Sequence, residues 1–303
     1  MYDSKKYYGF IVRGDLKSAV EYVKEFPLQH RRYKRYVNLL CSVKPHRFCS
    51  DKVINEICNI YAKYWNSVFW LLNEGNEAER TLLDDLNAFI SDGVYADIDS
   101  AEEKLKILVE NRGFHFQGGM TQGYWGPYIW KKTNRKIYSV KLPHAFERYP
   151  LDMMTGFVCC SWMDYISLGR IGTGGWAGDD GTLACVKKRY FGYMHTSRFK
   201  VNFLKHEAQH AFDKRSNPDI TSVQLEYRAK LVQIIYGKNL RAFAGFLSEA
   251  DGSKEENSHA YASNLLVSNL TKLVFNEEYV NDLDRWKKEQ NKIKSAALKL
   301  LDA

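Results

Sequence analysis

Phe203-Leu204-Lys205-His206-Glu207-Ala208-Gln209-His210-Ala211-Phe212 is the stretch on which the reading of this chain turns. It lies in a helical pattern that begins after Thr196 or Ser197 and stops before Asn217-Pro218, which predicts a helix from Phe199 to Lys214. On a helix, positions i and i+4 stand only about 40° apart around the axis, so the imidazoles of His206 and His210 project from one face. Two imidazoles so placed can meet a single Zn2+ ion. Glu207 stands about 100° further round, where it reaches a water beside the metal without being a ligand. A carboxylate there can take the water's proton and hand it to a leaving amine, so the segment points to hydrolysis with Glu207 as base.

Two imidazoles need a third ligand, and the sequence beyond Phe212 is searched for one. The metzincin pattern would need Gly at 213 and His at 216; the chain has Asp213 and Ser216, which excludes it. Glu226 is the best remaining candidate. It sits early in a helix expected over Ser222 to Tyr236, which Thr221 or Ser222 can cap, and antiparallel packing after the Asn217-Pro218 turn aims it back at the histidine face. With that glutamate, and Ala229 three residues on, the region from about 172 to 236 resembles the gluzincin metallopeptidases, whose third ligand is a glutamate on the helix after HExxH. The chain departs from that pattern twice. Only 15 residues separate His210 from Glu226, which demands a tight connection. Lys230 stands where the thermolysin branch has an aspartate that orients a ligating histidine, leaving Asp213 or Asp219 for that task.

The resemblance implies a zincin-like domain with Zn2+ as cofactor and a peptide or protein as substrate. It implies that an edge strand upstream of the motif helix pairs with extended substrate, and Thr182-Leu183-Ala184-Cys185-Val186 is expected in that role. It also implies a downstream His or Tyr that donates to the oxyanion, for which His259 leads and Tyr261 follows. The loop from Gly172 to Gly181 holds five glycines among its ten residues, which lets backbone approach a cleft closely; it lacks the Gly-Lys-Ser/Thr of a P-loop. His115, His144 and His195 have no ligand spacing and are read as structural.

The remainder of the chain sets the frame. Before Arg112 the pattern is helical throughout: Leu16, Ala19, Val20 and Val23 recur at helix spacing, as do Ile54, Ile57 and Tyr61, and a helix from Ala101 to Val109 is expected with Ser100 as cap. At Asn111-Arg112-Gly113 the texture changes to glycine and aromatic residues. The domain boundary is therefore placed there, with a helical scaffold or partner-binding module over 1–112 and the metal domain over 113–303. Strands are expected at Ile137 to Leu142, Gly156 to Trp162 and Thr182 to Lys187, and helices at Leu240 to Glu249, His259 to Val274 and Leu283 to Leu301. Strands followed by helices give an α+β class.

Composition agrees with a folded chain: of 303 residues, 45% are hydrophobic and 14% aromatic. No apolar run approaches the roughly 20 residues of a membrane span, and Met1-Tyr2-Asp3-Ser4-Lys5-Lys6 opens a polar segment, so a cytoplasmic protein with no membrane contact is expected. The six cysteines form no CxxC pair and are read as reduced. Net charge is +8, yet residues 1–50 carry 11 Lys and Arg against 4 Asp and Glu, while residues 51–112 carry 6 against 13. The two halves cancel, so nucleic acid is not the expected partner despite Arg31, Arg32, Lys34 and Arg35. The competing reading is a scaffold that keeps a metal centre without peptidase activity, or binds nucleic acid or protein through that basic stretch.

Overall fold

A computed structural model describes residues 1–41, 45–253, 255 and 257–303, with only the backbone of Cys41. The chain is mixed α and β, and it divides into two compact units: Met1–Lys132 with Thr155–Thr173, and Thr133–Met154 with Gly174–Ala303. Among the described residues no helix is long and apolar enough to cross a membrane.

The first unit opens with six helices, α1 (Ser4–Val12), α2 (Leu16–Lys24), α3 (His30–Cys41), α4 (Lys52–Asn66), α5 (Gly75–Ile90) and α6 (Ile98–Glu110). Aspartates set four of their starts: Asp3, Asp15, Asp51 and Asp97 each accept a hydrogen bond from a first-turn N–H. The last of these corrects the expected cap. Ser100 is inside α6 and donates its N–H to Asp97, because an aspartate one turn earlier satisfies the free N–H groups and the helix begins with it. Apolar faces meet around Tyr61, Trp65 and Leu105, all with no exposed surface. Of the basic stretch, Arg32 is drawn inward, its guanidinium 4.7 Å from the centre of the Tyr7 ring and 5.5 Å from that of Tyr2.

The boundary expected after Arg112 falls inside this unit. Short strands β1 (His115–Gln117), β2 (Met120–Thr121), β3 (Tyr124–Trp125) and β4 (Tyr128–Trp130) follow α6 directly and pack on the helices. The indole of Trp65 donates to the carbonyl of Trp125 at 2.8 Å, and a side chain at Gly126 would overlap that indole and Ser161. Of the glycines that mark the change of texture, Gly126 allows close approach to α4 and Gly118 to Glu102 on α6, while Gly113, Gly119 and Gly123 turn the chain with positive φ, and the chain does not part company with the helices at that point.

The second unit begins with two ten-residue strands, β5 (Lys132–Lys141) and β6 (Phe146–Thr155). The chain then returns to the first unit for β7 (Cys159–Cys160) and α7 (Ser161–Ile166). The strand expected over Gly156 to Trp162 is thus two residues long, because Ser161 adopts φ 59 and turns the chain into a helix. Back in the second unit, β8 (Gly175–Ala177) and β9 (Leu183–Val186) complete a four-stranded sheet in the order β5-β6-β9-β8. β9 runs parallel to β6 and antiparallel to β8. The substrate edge expected at Thr182 to Val186 is therefore corrected: β9 is interior, and the edge is β8, within the glycine loop.

Helices cover this sheet: α8 (Ser197–Lys200), α9 (Leu204–Ser216), α10 (Ser222–Tyr236), α11 (Arg241–Glu249), α12 (Ser258–Phe275), α13 (Leu283–Lys288) and α14 (Gln290–Asp302). α10 is the hub, packed by α9, α12 and α14, which is why apolar and polar side chains alike are buried around it. The expected helix from Phe199 is interrupted at 201–203, and the one from Leu283 is broken at Glu289. Phe199, Phe203, Phe243, Leu266 and Trp286 fill the core between sheet and helices.

Candidate metal centre

α9 starts at Leu204, so the HExxH segment occupies its first two turns. Two helical turns align the imidazoles. The Nε2 atoms of His206 and His210 are 2.9 Å apart, with the rings nearly perpendicular at 86°. α10 begins at Thr221, whose hydroxyl accepts from Gln224 N–H while the Gln224 side chain accepts from Thr221 N–H. This reciprocal cap fixes where α10 starts, and hence the height at which Glu226 arrives. Its carboxylate lies 3.3 Å from His210 Nε2 and 3.6 Å from His206 Nε2. Among the described residues, these three make the group able to hold a metal ion, with one ligand atom from each all within 4.8 Å of one another.

A polar ladder locks α9 to α10. Asp213 is 4% exposed and takes the Arg228 guanidinium at 3.0 Å and both its oxygens the Gln209 amide at 2.9 Å. Gln233 donates to the carbonyl of Asn202 at 3.0 Å. The pairs Asn202 with Gln233 and His210 with Glu226 run in opposite chain directions, the antiparallel arrangement expected from the Asn217-Pro218 turn, and Arg228 reaches back from α10 to Asp213. Asp213 thus fastens the helices and does not touch an imidazole, and Asp219 is exposed in the turn. Neither orients a ligand. Lys230 is buried against Glu249 and over the Phe246 ring, so it too does not replace the aspartate of the thermolysin branch.

The electrostatics of the centre favour one cation. Burial pushes His206 down to about 3, so that ring is neutral. Burial opposes charge on His210 as well, but the Glu226 carboxylate beside it and the charge of Glu207 prevail and its pKa is raised. Glu226 is held well below the usual carboxylate range: burial works against its charge, and His259, His206 and His210 outweigh that. Two Nε2 atoms 2.9 Å apart and facing a carboxylate are groups that a divalent ion could bind together. The donor set fits zinc, two nitrogens and one oxygen with room for a fourth partner. The Nδ1 atoms of both rings are buried without a hydrogen-bond partner, as is Oε2 of Glu226.

Glu207 is 9% exposed, and burial pushes its carboxyl up to about 7, poised to exchange a proton near neutral pH. His259 joins the cluster: its Nδ1 is 3.0 Å from Oε2 of Glu226. Tyr261 does not. Two residues along α12 turn a side chain by about 200° from His259, and among the described residues Tyr261 makes no hydrogen bond or ion pair with the cluster. His115 stacks on Trp130 and His144 pairs with Asp302, so neither belongs to the centre. Sequence reasoning missed β8 as the edge and Arg228 as the tie. The first hides in a glycine loop, whereas the second carried a signal, a cation two residues after the ligand. The chain matches no protein-family model, no curated protein and no solved structure.

Proposed function

We propose that this chain is a zinc-dependent peptidase of the gluzincin kind, with a zincin-like second unit. The convergence of His206, His210 and Glu226 within 4.8 Å, on a helix pair whose spacing the motif anticipates, carries this reading. Those three residues would hold the ion. When bound, zinc supplies Lewis acidity, polarising a carbonyl and making an adjacent water acidic enough to ionise near neutral pH.

The chain's own groups do the rest. Glu207, one residue from the first ligand and buried, takes the proton from the attacking water and returns it to the leaving amine. Burial raises its pKa, which favours accepting the proton. β8 is an edge strand of the sheet beside α9, where an extended peptide could add in the antiparallel sense and be held by main-chain hydrogen bonds. At the sheet end, Gly175 keeps β8 close to its neighbour, as a side chain there would overlap the carbonyl of Ala184 and the ring of Phe203. His259 is the group from α12 nearest the centre and the one assigned to the oxyanion, to which its outward Nε2 donates only when both ring nitrogens carry hydrogen.

Metal analysis of the purified protein, with a mixed-peptide cleavage screen run with and without chelator, tests the proposal. Stoichiometric zinc and chelator-sensitive cleavage are expected. A protein that holds zinc and cleaves no peptide would leave the competing reading, a metal-bearing scaffold.

A further inference from the structure

Oε2 of Glu226 is buried with no hydrogen bond aligned on it, and the nearest donor is Nδ1 of His259 at 3.0 Å. The two side chains differ in exposure, 11% for Glu226 and 47% for His259. The imidazole therefore reaches in with one edge and leaves the other to solvent. Contact with a carboxylate requires the hydrogen on Nδ1, which in a neutral ring leaves Nε2 as an acceptor.

The contact is one of several ties between α10 and α12, among them the Asn269 amide donating to the Tyr227 hydroxyl at 3.1 Å and a bridge through Glu249 of α11. One turn after Glu226, Lys230 pairs with Glu249; one turn after His259, Ser263 donates to the same Glu249 oxygen at 2.6 Å. Lys230 is 3% exposed and Ser263 fully buried, so the bridge through the half-exposed carboxylate of Glu249 is anchored at both ends inside the unit. An anchored bridge sets the distance between the helices at the His259 contact. Asn257 caps α12 by accepting from Ala260 N–H, which fixes the turn that carries His259.

We propose that His259 is a positioning residue for the third ligand: its Nδ1–H holds Oε2 of Glu226 and leaves Oε1, 3.3 Å from His210 Nε2, for the metal. The proposal rests on the zinc reading above. It assigns His259 an effect on metal affinity, which a residue that only meets an oxyanion does not have. It also supplies what Lys230, Asp213 and Asp219 do not, a hydrogen-bond donor or acceptor on a ligand from outside the ligand set.

The test is zinc affinity by chelator competition, together with the absorption spectrum of the Co2+-substituted protein, for wild type, His259→Ala and His259→Asn. His259→Ala is expected to weaken zinc by about 10- to 100-fold and to change the Co2+ spectrum. His259→Asn, whose amide can donate in the same direction, is expected to recover most of that loss. Metal-free melting of both variants close to wild type is expected, since the side chain is half exposed; it separates a lost contact from a lost fold. Wild-type zinc affinity and an unchanged Co2+ spectrum in His259→Ala would overturn the proposal, and a fall in kcat alone would make His259 an oxyanion donor only. A wild-type protein that takes up neither zinc nor cobalt overturns the metal reading itself, before any variant is compared.

Discussion

Replacing Glu226 by Ala removes the one oxygen of the centre, and the size of the effect follows from linkage. Zinc that binds the folded chain alone, at a free concentration 1000 times its Kd, stabilises by about 4.1 kcal/mol. For a chain of this length each kcal/mol moves a melting transition by about 2–4 °C, so the zinc-dependent rise is about 8–16 °C in wild type. Groups that merely support a ligand are worth 10- to 100-fold in affinity, so losing a ligand itself weakens binding by at least about 100-fold. At the same zinc concentration the variant then gains no more than about 1.4 kcal/mol, or about 3–6 °C. Calorimetry of both proteins with zinc and with chelator reads the two shifts, and each protein serves as its own reference. The metal-free comparison matters as well. Glu226 is 8% exposed and is faced by imidazoles alone, so the apo variant loses a buried charge together with the carboxylate that raises the pKa of His210. Equal zinc shifts in the two proteins would remove Glu226 from the metal, and no shift in wild type would remove the metal from this centre.

Other perturbations separate the parts. Glu207→Gln keeps both imidazoles and Glu226, so zinc affinity by chelator competition should hold while kcat falls by about 100-fold or more; retained turnover would reject Glu207 as the base. Arg228→Ala leaves Asp213 buried with only the Gln209 amide, at a cost of about 2 kcal/mol after allowing for the partly exposed guanidinium. Urea unfolding reads that cost, and a loss below the error of the measurement would show the tie to be unimportant. Gly175→Ala pushes β8 off β9, so kcat/KM for a peptide should fall at unchanged zinc affinity; normal kinetics would take β8 out of substrate binding. Glu102, in the first unit, is raised above its ordinary value, by burial above all, while it accepts from Tyr61 at 2.5 Å and Gly119 N–H at 2.6 Å. The folded state thus keeps a proton that the unfolded chain releases above about pH 4.3, and stability falls as pH rises from there through the folded value. Glu102→Gln lacks that slope, so the variant's stability relative to wild type should grow with pH across the window; parallel profiles would refute the buried-acid account.

What the sequence carried locally was read well. α10 has the bounds expected for it because Thr221 and Gln224 encode a cap that fixes its first turn. β9 appears within one residue of expectation at each end, as a short apolar run does when both its faces are covered. What depended on a distant partner was not legible. Leu183 pairs with Leu151, from a strand more than thirty residues earlier, and only that parallel pairing makes β9 interior and passes the edge to Gly175–Ala177. No periodicity is expressed over three residues that begin with a glycine. The break at 201–203 was hidden for the opposite reason: Val201 and Phe203 are buried and keep the apolar rhythm while the backbone leaves the helix. The boundary near residue 112 was drawn where glycines begin, yet those glycines serve turns and close packing inside the first unit, Gly126 against Trp65 and Gly118 against Glu102.

The same division runs through the centre itself, and it bears on why a metal is the better account of it. The spacing of His206 and His210 is fixed by one helix, and Glu226 by one short turn, so three groups could be named from the chain alone. His259 could be named but not placed, because its contact depends on how α12 lies against α10. Tyr261 was named and misplaced, since two residues on a helix nearly reverse direction. The assembled result gathers a carboxylate 8% exposed, a second at 9%, and two imidazoles whose Nδ1 atoms are buried and unpaired. Elsewhere in this unit buried charge is answered by an opposite full charge: Asp213, 4% exposed, has Arg228, and Lys230, 3% exposed, has Glu249. Among the described residues no Lys or Arg pairs with Glu226. Guanidinium and ammonium groups stand two and four residues further along α10, at Arg228 and Lys230, but pair elsewhere, and imidazoles alone face this position. Desolvating that carboxylate is costly unless something of opposite charge sits against it, and a divalent ion held by His206, His210 and Glu226 would meet that need more fully than imidazoles alone.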